Sequence, residues 1–154
     1  MKPVSSLTTA EDITLVNLRD IPNDLVFFSE VLGVFAAQKI NIDMISQSTS
    51  FSDKFGVSFT VPGDELEETL TIIAALREKH PNVKLSANGG NAKITIAGEG
   101  MRTTFGVAYT AVKAMSDHGI PIQLITTSET EISFLISAAY LYMAQDALKA
   151  CFDL

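Results

Sequence analysis

The hydrophobic positions of the first half of the chain alternate between a strand period and a helix period. Segments 13–18, 42–48, 56–61 and 83–86 are short and rich in β-branched residues, which predicts strands. Val31, Leu32 and Phe35 have helical spacing, and a second helix is predicted to begin after Pro62 and to end before Pro81. The first half is therefore predicted to fold as strand, helix, strand, strand, helix, strand.

The second half repeats this order. The segment 40–46 (INIDMIS) resembles 120–126 (IPIQLIT), and the apolar positions of the preceding helix align at the same offset. Two shorter matches extend the repeat: Ser58-Phe59 with Ser133-Phe134, and Ile13-Thr14-Leu15 with Ile94-Thr95-Ile96. Because the repeat covers nearly the whole chain, it indicates two similar units.

The second unit lacks a fourth strand, since its last predicted helix runs to the final residues of the sequence. Residues 4–8 are predicted to supply that strand, because the sheet would otherwise keep an unpaired edge. Asn88-Gly89-Gly90-Asn91 is interpreted as a linker. The predicted fold is α+β, with two ferredoxin-like βαββαβ units in tandem, the first (13–88) inserted into the second (1–12 plus 89–154).

Composition excludes several classes of protein. The chain of 154 residues is 47% apolar with a formal net charge of -7, which argues against nucleic acid as a partner. Cys151 is the single cysteine, so no internal disulfide can form; it falls on the apolar stripe of the last helix and is predicted to lie in the core. No apolar run has the length of a membrane span. A cytoplasmic setting is expected.

The sequence shows no catalytic or metal-binding motif, and none of its residues is predicted to be catalytic. His80 and His118 fall at predicted helix ends, where capping is the simpler role. Gly98, Gly100 and Gly106 match neither the dinucleotide fingerprint nor a P-loop. These glycines are interpreted as parts of a tight turn that needs positive φ.

The two strand-to-helix junctions, residues 19–25 and 98–105, are the features that suggest binding. Backbone N–H groups at the start of a helix have no partner within the helix, so they can receive a carboxylate. An ammonium group could bind an acid such as Asp43. The junctions therefore predict an amino-acid ligand, whereas a solvated strand edge would equally explain the polar residues near them.

Several segments resemble the regulatory region of aspartate kinases, which consists of two ACT domains. In the first unit these are 40–45 (INIDMI) and 57–62 (VSFTVP). In the second they are 92–101 (AKITIAGEGM), 122–129 (IQLITTSE) and the ending Phe152-Asp153-Leu154. The likeness extends from about Val4 to the end, and a generic ACT domain does not have the Gly100-Met101 and Thr127-Ser128-Glu129 runs.

This resemblance implies a function that the pattern alone does not. Such regions bind end-product amino acids, here expected to be lysine, threonine or both, and inhibit phosphorylation of aspartate in the pathway to lysine, threonine and methionine. It also implies a homodimer through the ACT units and a kinase catalytic domain as partner. ATP and Mg²⁺ belong to that domain, so no cofactor is expected in this chain, which would be a fragment or a separate regulatory subunit.

The resemblance also implies the residues that contact the effector. These are Asn23, Asp24 and Leu25 at the first junction, Asn41, Ile42, Asp43 and Gln47 along the next strand, and Pro121 and Ile122 from the partner chain. Three places depart from the family pattern: the first loop, 20–24 (DIPND), lacks a glycine, Thr104-Phe105 stands where His-Pro is common, and Pro121 replaces an asparagine.

Two other functions are compatible with the pattern. A free-standing tandem-ACT sensor could control another protein or transcription, and the absence of an upstream kinase coding sequence in the gene would favour it. A ferredoxin-like metal carrier is disfavoured because the chain has no pair of cysteines.

Overall fold

The computed structural model describes residues 1–22, 25–49 and 53–154. The chain forms two compact units: an inserted unit, Asp12–Gly90, and a split unit, Met1–Glu11 with Asn91–Leu154. Strands β1 (Ser6–Pro22) and β4 (Lys84–Ala97) each contribute one end to each unit. The prediction of an α+β fold built from two ferredoxin-like units is confirmed.

The inserted unit contains helices α1 (Leu25–Ala37) and α2 (Leu66–Lys79) with strands β2 (Ile45–Ser48) and β3 (Lys54–Pro62). Its strand order is β2-β3-β1-β4, and β3 pairs antiparallel with both of its neighbours. A short 3₁₀ turn, Gly63–Glu65, leads into α2 with two acids, where the helix dipole favours negative charge.

The split unit contains helices α3 (Val107–Asp117) and α4 (Leu141–Phe152) with strands β5 (Leu124–Thr127) and β6 (Glu131–Ser137). Its order is β1-β4-β6-β5, so the N-terminal segment supplies the fourth strand, as predicted. Strand β1 begins at Ser6, and the amide of Ser5 already donates to the carbonyl of Ala97 at 2.8 Å.

The two hydrophobic cores are built from equivalent positions. Phe35 and Ile40 are buried in the inserted unit, as are Met115 and Ile120 in the split unit. Each of α1 and α3 is closed by a residue in the left-handed region: Lys39 (φ 58) in one and Gly119 (φ 65) in the other. The amides of Ile40 and Ile120 both donate to a carbonyl five residues earlier, which is the Schellman closure.

The predicted alignment of the first strands is wrong by three residues. Val16 lies opposite Phe59 in one unit, and Ile94 lies opposite Phe134 in the other. Ile94 therefore corresponds to Val16, whereas the sequence match paired it with Ile13. The reason is that residues 13–16 are all buried, so no alternation of buried and exposed positions fixes the register of this segment.

Three local predictions are also corrected. The strands predicted at 4–8 and 13–18 are not separate, since β1 runs from Ser6 to Pro22 and continues through Asp12 at φ 57. The expected linker 88–91 lies inside β4, with Gly90 at φ 74. Cys151 is exposed on α4, because the buried stripe of that helix runs through Leu148 and Phe152 instead.

Candidate functional site

The first strand-to-helix junction lies between the end of β1 at Pro22 and the start of α1 at Leu25. Two predicted effector residues, Asn23 and Asp24, lie outside the described residues. Leu25 is the first residue of α1 and is 67% exposed, which leaves an apolar side chain in solvent beside the junction.

The remaining predicted residues of this unit follow α1 in an extended segment that leads into β2. Asn41 and Asp43 are exposed, while Ile42 between them packs against the core. The amide of Asp43 donates to the carbonyl of Thr60 at 3.1 Å, which ties the segment to β3. Gln47 is exposed on β2, opposite Val57. The polar side chains therefore share one strand edge.

Pro121 and Ile122 occupy the corresponding segment of the split unit. Pro121 is exposed, and Ile122 packs against the core of that unit. The next residue, Gln123, is held by its side chain, which donates to Asn91 Oδ1 at 2.7 Å. Their predicted role, contact with an effector bound to a partner chain, stays a prediction.

The second junction carries a cavity of about 440 Å³ in the split unit. A 3₁₀ turn, Glu99–Arg102, leads from β4 toward α3, which begins after Gly106 at φ 82. The cavity lies between this connection and the β5–β6 turn, and its lining comprises Met101, Arg102, Thr104, Phe105, Gly106, Val107, Ala108, Thr127, Ser128, Glu129 and Ile132. Its size is that of a small-molecule site.

Charge around this cavity is unequally distributed. Arg102 donates to Glu99 at 2.9 Å through Nε, and to Glu129 through Nη1. The hydrogen bond with Glu99, followed by the charge of Glu129, raises the pKa of Arg102. Two carboxylates thus share one guanidinium, and α3 begins without an acidic residue or a side-chain cap. With two carboxylates against one guanidinium, the charged groups beside the cavity carry a net negative charge, and the start of α3 offers N–H groups to a carboxylate.

Sequence reasoning identified this junction but not Arg102. A usable signal was present, since Arg102 is the single basic residue between Lys93 and Lys113 and follows the turn directly. Gly98 and Gly100 were misinterpreted: Gly98 has φ 175, and of the three glycines of the predicted turn only Gly106 lies in the positive-φ region. Gly98 and Gly100 are required because a side chain would not fit at either position, and their backbone conformation does not require glycine.

The described residues contain no helix long and apolar enough to cross a membrane. In the same part of the chain, no group of three or more His, Cys, Asp or Glu side chains is placed to hold a metal ion.

Both units match models of the ACT domain, at residues 27–78 in one and 94–152 in the other. Among relatives, the aspartokinase of Bacillus sp. (strain MGA3) is 28% identical over 151 residues, which is 98% of this chain and 37% of that protein. The chain therefore spans about 37% of the length of this relative. The catalytic domain lies in the longer relatives.

Two solved structures agree along almost their whole length. The regulatory subunit of aspartate kinase from Thermus thermophilus superimposes with a TM-score of 0.88 at 27% identity, covering 98% of this chain and 99% of that one. A chain from a structure of aspartokinase alpha and beta subunits gives 0.88 at 30% identity, with the same coverage. The chain therefore belongs to the family of aspartate kinase regulatory regions, which are built from two ACT domains.

Proposed function

We propose that the chain binds an end-product amino acid, lysine or threonine or both, and transmits its presence to an aspartate kinase catalytic domain. The observation that supports this most directly is the 0.88 TM-score to a regulatory subunit of aspartate kinase over nearly the whole of both chains. Feedback control of aspartate phosphorylation in the pathway to lysine, threonine and methionine would follow.

The first junction is the proposed effector site. A free amino acid carries one ammonium and one carboxylate, and burial requires that both be satisfied. The exposed strand edge described above carries one acid, Asp43, which is therefore the proposed ammonium acceptor. Amide groups at the start of α1, beginning at Leu25, are the proposed donors to the carboxylate.

A homodimer through the ACT units is the proposed assembly. Strand β2 is the edge strand of the inserted unit, and all four of its residues are exposed. An exposed edge carries unpaired N–H and C=O groups that a second copy could satisfy symmetrically. A cytoplasmic setting is proposed as well, with ATP and Mg²⁺ bound by the catalytic domain.

Ligand-dependent stability tests the effector site. Lysine, threonine and methionine, singly and in pairs, would be added at about a hundredfold excess over the dissociation constant, where binding to the folded state alone stabilises it by about 2.7 kcal/mol. For a chain of this size, such a gain raises the melting temperature by roughly 5–10 °C. The absence of any shift would exclude these three amino acids as effectors of this chain.

A pair of matched substitutions locates the site. Asp43→Ala should remove most of the thermal shift, because it leaves the ligand's ammonium without its acceptor. Asp53→Ala is the control, since it removes the same charge from an exposed position before β3 and should leave the shift unchanged. If Asp43→Ala binds as well as the parent, the ligand lies elsewhere, and the cavity at the second junction becomes the next candidate.

Regulation is tested with an added catalytic domain. The purified chain alone should show no aspartate-dependent ATP turnover above a contaminant control, whereas its effector-bound form should lower turnover by the catalytic domain. Turnover by the chain alone would contradict its assignment as a purely regulatory region.

A further inference from the structure

The N-terminal residues 2–5 pack against the rest of the split unit before β1 begins. Val4 is fully buried in the core of that unit, and the amide of Ser5 donates to the carbonyl of Ala97 at 2.8 Å. Lys2 Nζ reaches the carbonyl of Asp153 at 2.8 Å, at the C-terminal end of α4. This segment, called the strap below, therefore joins the end of β4 to the end of α4.

Two glycines make room for the strap. A Cβ atom on Gly98 would lie 2.3 Å from the carbonyl oxygen of Pro3, and one on Gly100 would lie 2.3 Å from that of Lys2. Both obstacles are backbone atoms, so no side-chain rotation could relieve the clash. The strap therefore lies in direct backbone contact with the turn that contains Gly98 and Gly100.

The same turn also forms part of the cavity wall. Met101 and Arg102 line the cavity, and the amide of Met101 donates to the carbonyl of Gly98 at 3.1 Å. The amide of Gly98 in turn donates to the carbonyl of Thr130 at 2.9 Å, and this hydrogen bond joins the turn to the β5–β6 connection. Since interiors are closely packed, a shift of this wall must displace the strap or be resisted by it.

We propose that the packing of the strap is coupled to the conformation of the cavity wall through the Gly98–Arg102 turn. When the turn is held against the β5–β6 connection by Arg102, the strap is seated and the Ser5–Ala97 hydrogen bond is protected. When the turn moves, the strap loosens, and the start of β1 loosens with it. As a route for regulation this inference rests on the proposed function, but the coupling itself requires no ligand to be bound.

Hydrogen exchange resolved at single amides in the full chain tests the coupling from the strap side. Gly100→Ala should speed exchange of the Ser5 amide by about tenfold, the effect expected from overpacking against backbone. It should also shift the amide resonances of Thr104 and Val107 at the cavity. Gly33→Ala is the control, because a Cβ there meets nothing within 4 Å. Loosening of Ser5 with unchanged resonances at the cavity would overturn the proposal.

A milder substitution tests the coupling from the cavity side and decides the question if Gly100→Ala does not fold. Arg102→Ala removes the contacts to Glu99 and Glu129 without touching the strap, and should speed Ser5 exchange about twofold to threefold, as expected for an exposed ion pair. Lys113→Ala is the control: it removes the exposed ion pair with Asp117 in the same unit and should not speed Ser5 exchange. Equal exchange in these two variants would overturn the proposal, whether or not any amino acid binds at the first junction.

Discussion

Two buried hydroxyl groups in the inserted unit lack a hydrogen-bond partner among the described residues. Thr14 on β1 and Thr69 on α2 are both fully buried, and neither Oγ1 atom is paired. Replacement by valine keeps the shape of each side chain and exchanges the hydroxyl for a methyl group. We expect Thr14→Val and Thr69→Val each to stabilise the chain by about 1 kcal/mol, because a buried unsatisfied polar group costs about 1–3 kcal/mol.

The split unit supports this expectation. In the observed register Thr14 lies opposite Val61, and Ala92 lies opposite Ile136 at the corresponding place. Ala92 is fully buried, so the equivalent position is apolar in the other unit. Thr69 likewise aligns with Ala144, which is also fully buried. The fold therefore does not require a hydroxyl at either position.

Thr60→Val is the matched control. Thr60 is also buried, but its Oγ1 accepts a hydrogen bond from the amide of Met44 at 2.9 Å. Valine would leave that buried amide without this partner, so the same substitution should destabilise the chain by about 1–3 kcal/mol. Opposite signs for chemically identical changes are the essential result.

Urea denaturation monitored by circular dichroism measures these differences in the free energy of unfolding, and the comparison requires equal m-values. Each stabilising variant should also raise the melting temperature by about 2–4 °C. If Thr14→Val and Thr69→Val both destabilise the chain, the hydroxyls are satisfied by buried water, and the reasoning from missing partners is refuted.

Two further predictions concern charge and helix closure. Lys39→Gly should stabilise the chain by about 1 kcal/mol, because a residue with a Cβ atom costs about 1–2 kcal/mol in the left-handed region. Gly119→Ala should destabilise the chain for the same reason. Urea midpoints that moved in the opposite directions would contradict this. The hydrogen bond from Lys79 lowers the pKa of Glu30. The ionised Glu30 side chain therefore contributes to stability above the ordinary glutamate pKa, and this contribution is lost as the pH falls through the lowered pKa. Melting temperatures measured below about pH 4.3 should therefore fall less steeply in Glu30→Gln than in the parent, and equal slopes would exclude the pairing.

The parts of the fold that sequence predicted well are those with local signals. The helical spacing of Val31 and Phe35 predicted α1, and both residues are fully buried in its core. The repeat predicted that Ile40 and Ile120 play the same role, and both are buried behind the same closure of a helix. Periodicity within one element, or likeness between two segments, is enough for such predictions.

Other parts required knowledge of what lies beside the residue. The register of β1 depends on its pairing with β3, because residues 13–16 are buried without alternation. Gly98 and Gly100 are crowded by residues 2 and 3, which are more than ninety positions away in the sequence. A glycine that provides space for a distant backbone has the same local signature as one that provides a turn.

Prediction of the site was limited by chemistry that the repeat does not preserve. At the offset that aligns Ile40 with Ile120, Asp43 aligns with Gln123, so the proposed ammonium acceptor of the first junction is an amide in the second. Gln123 is already held by Asn91, whereas the acids near the second cavity are Glu99 and Glu129, which Arg102 joins. One effector bound at both junctions would be held by different groups in each. Substitution of Asp43 therefore tests the first junction alone, and the second must be tested through Arg102.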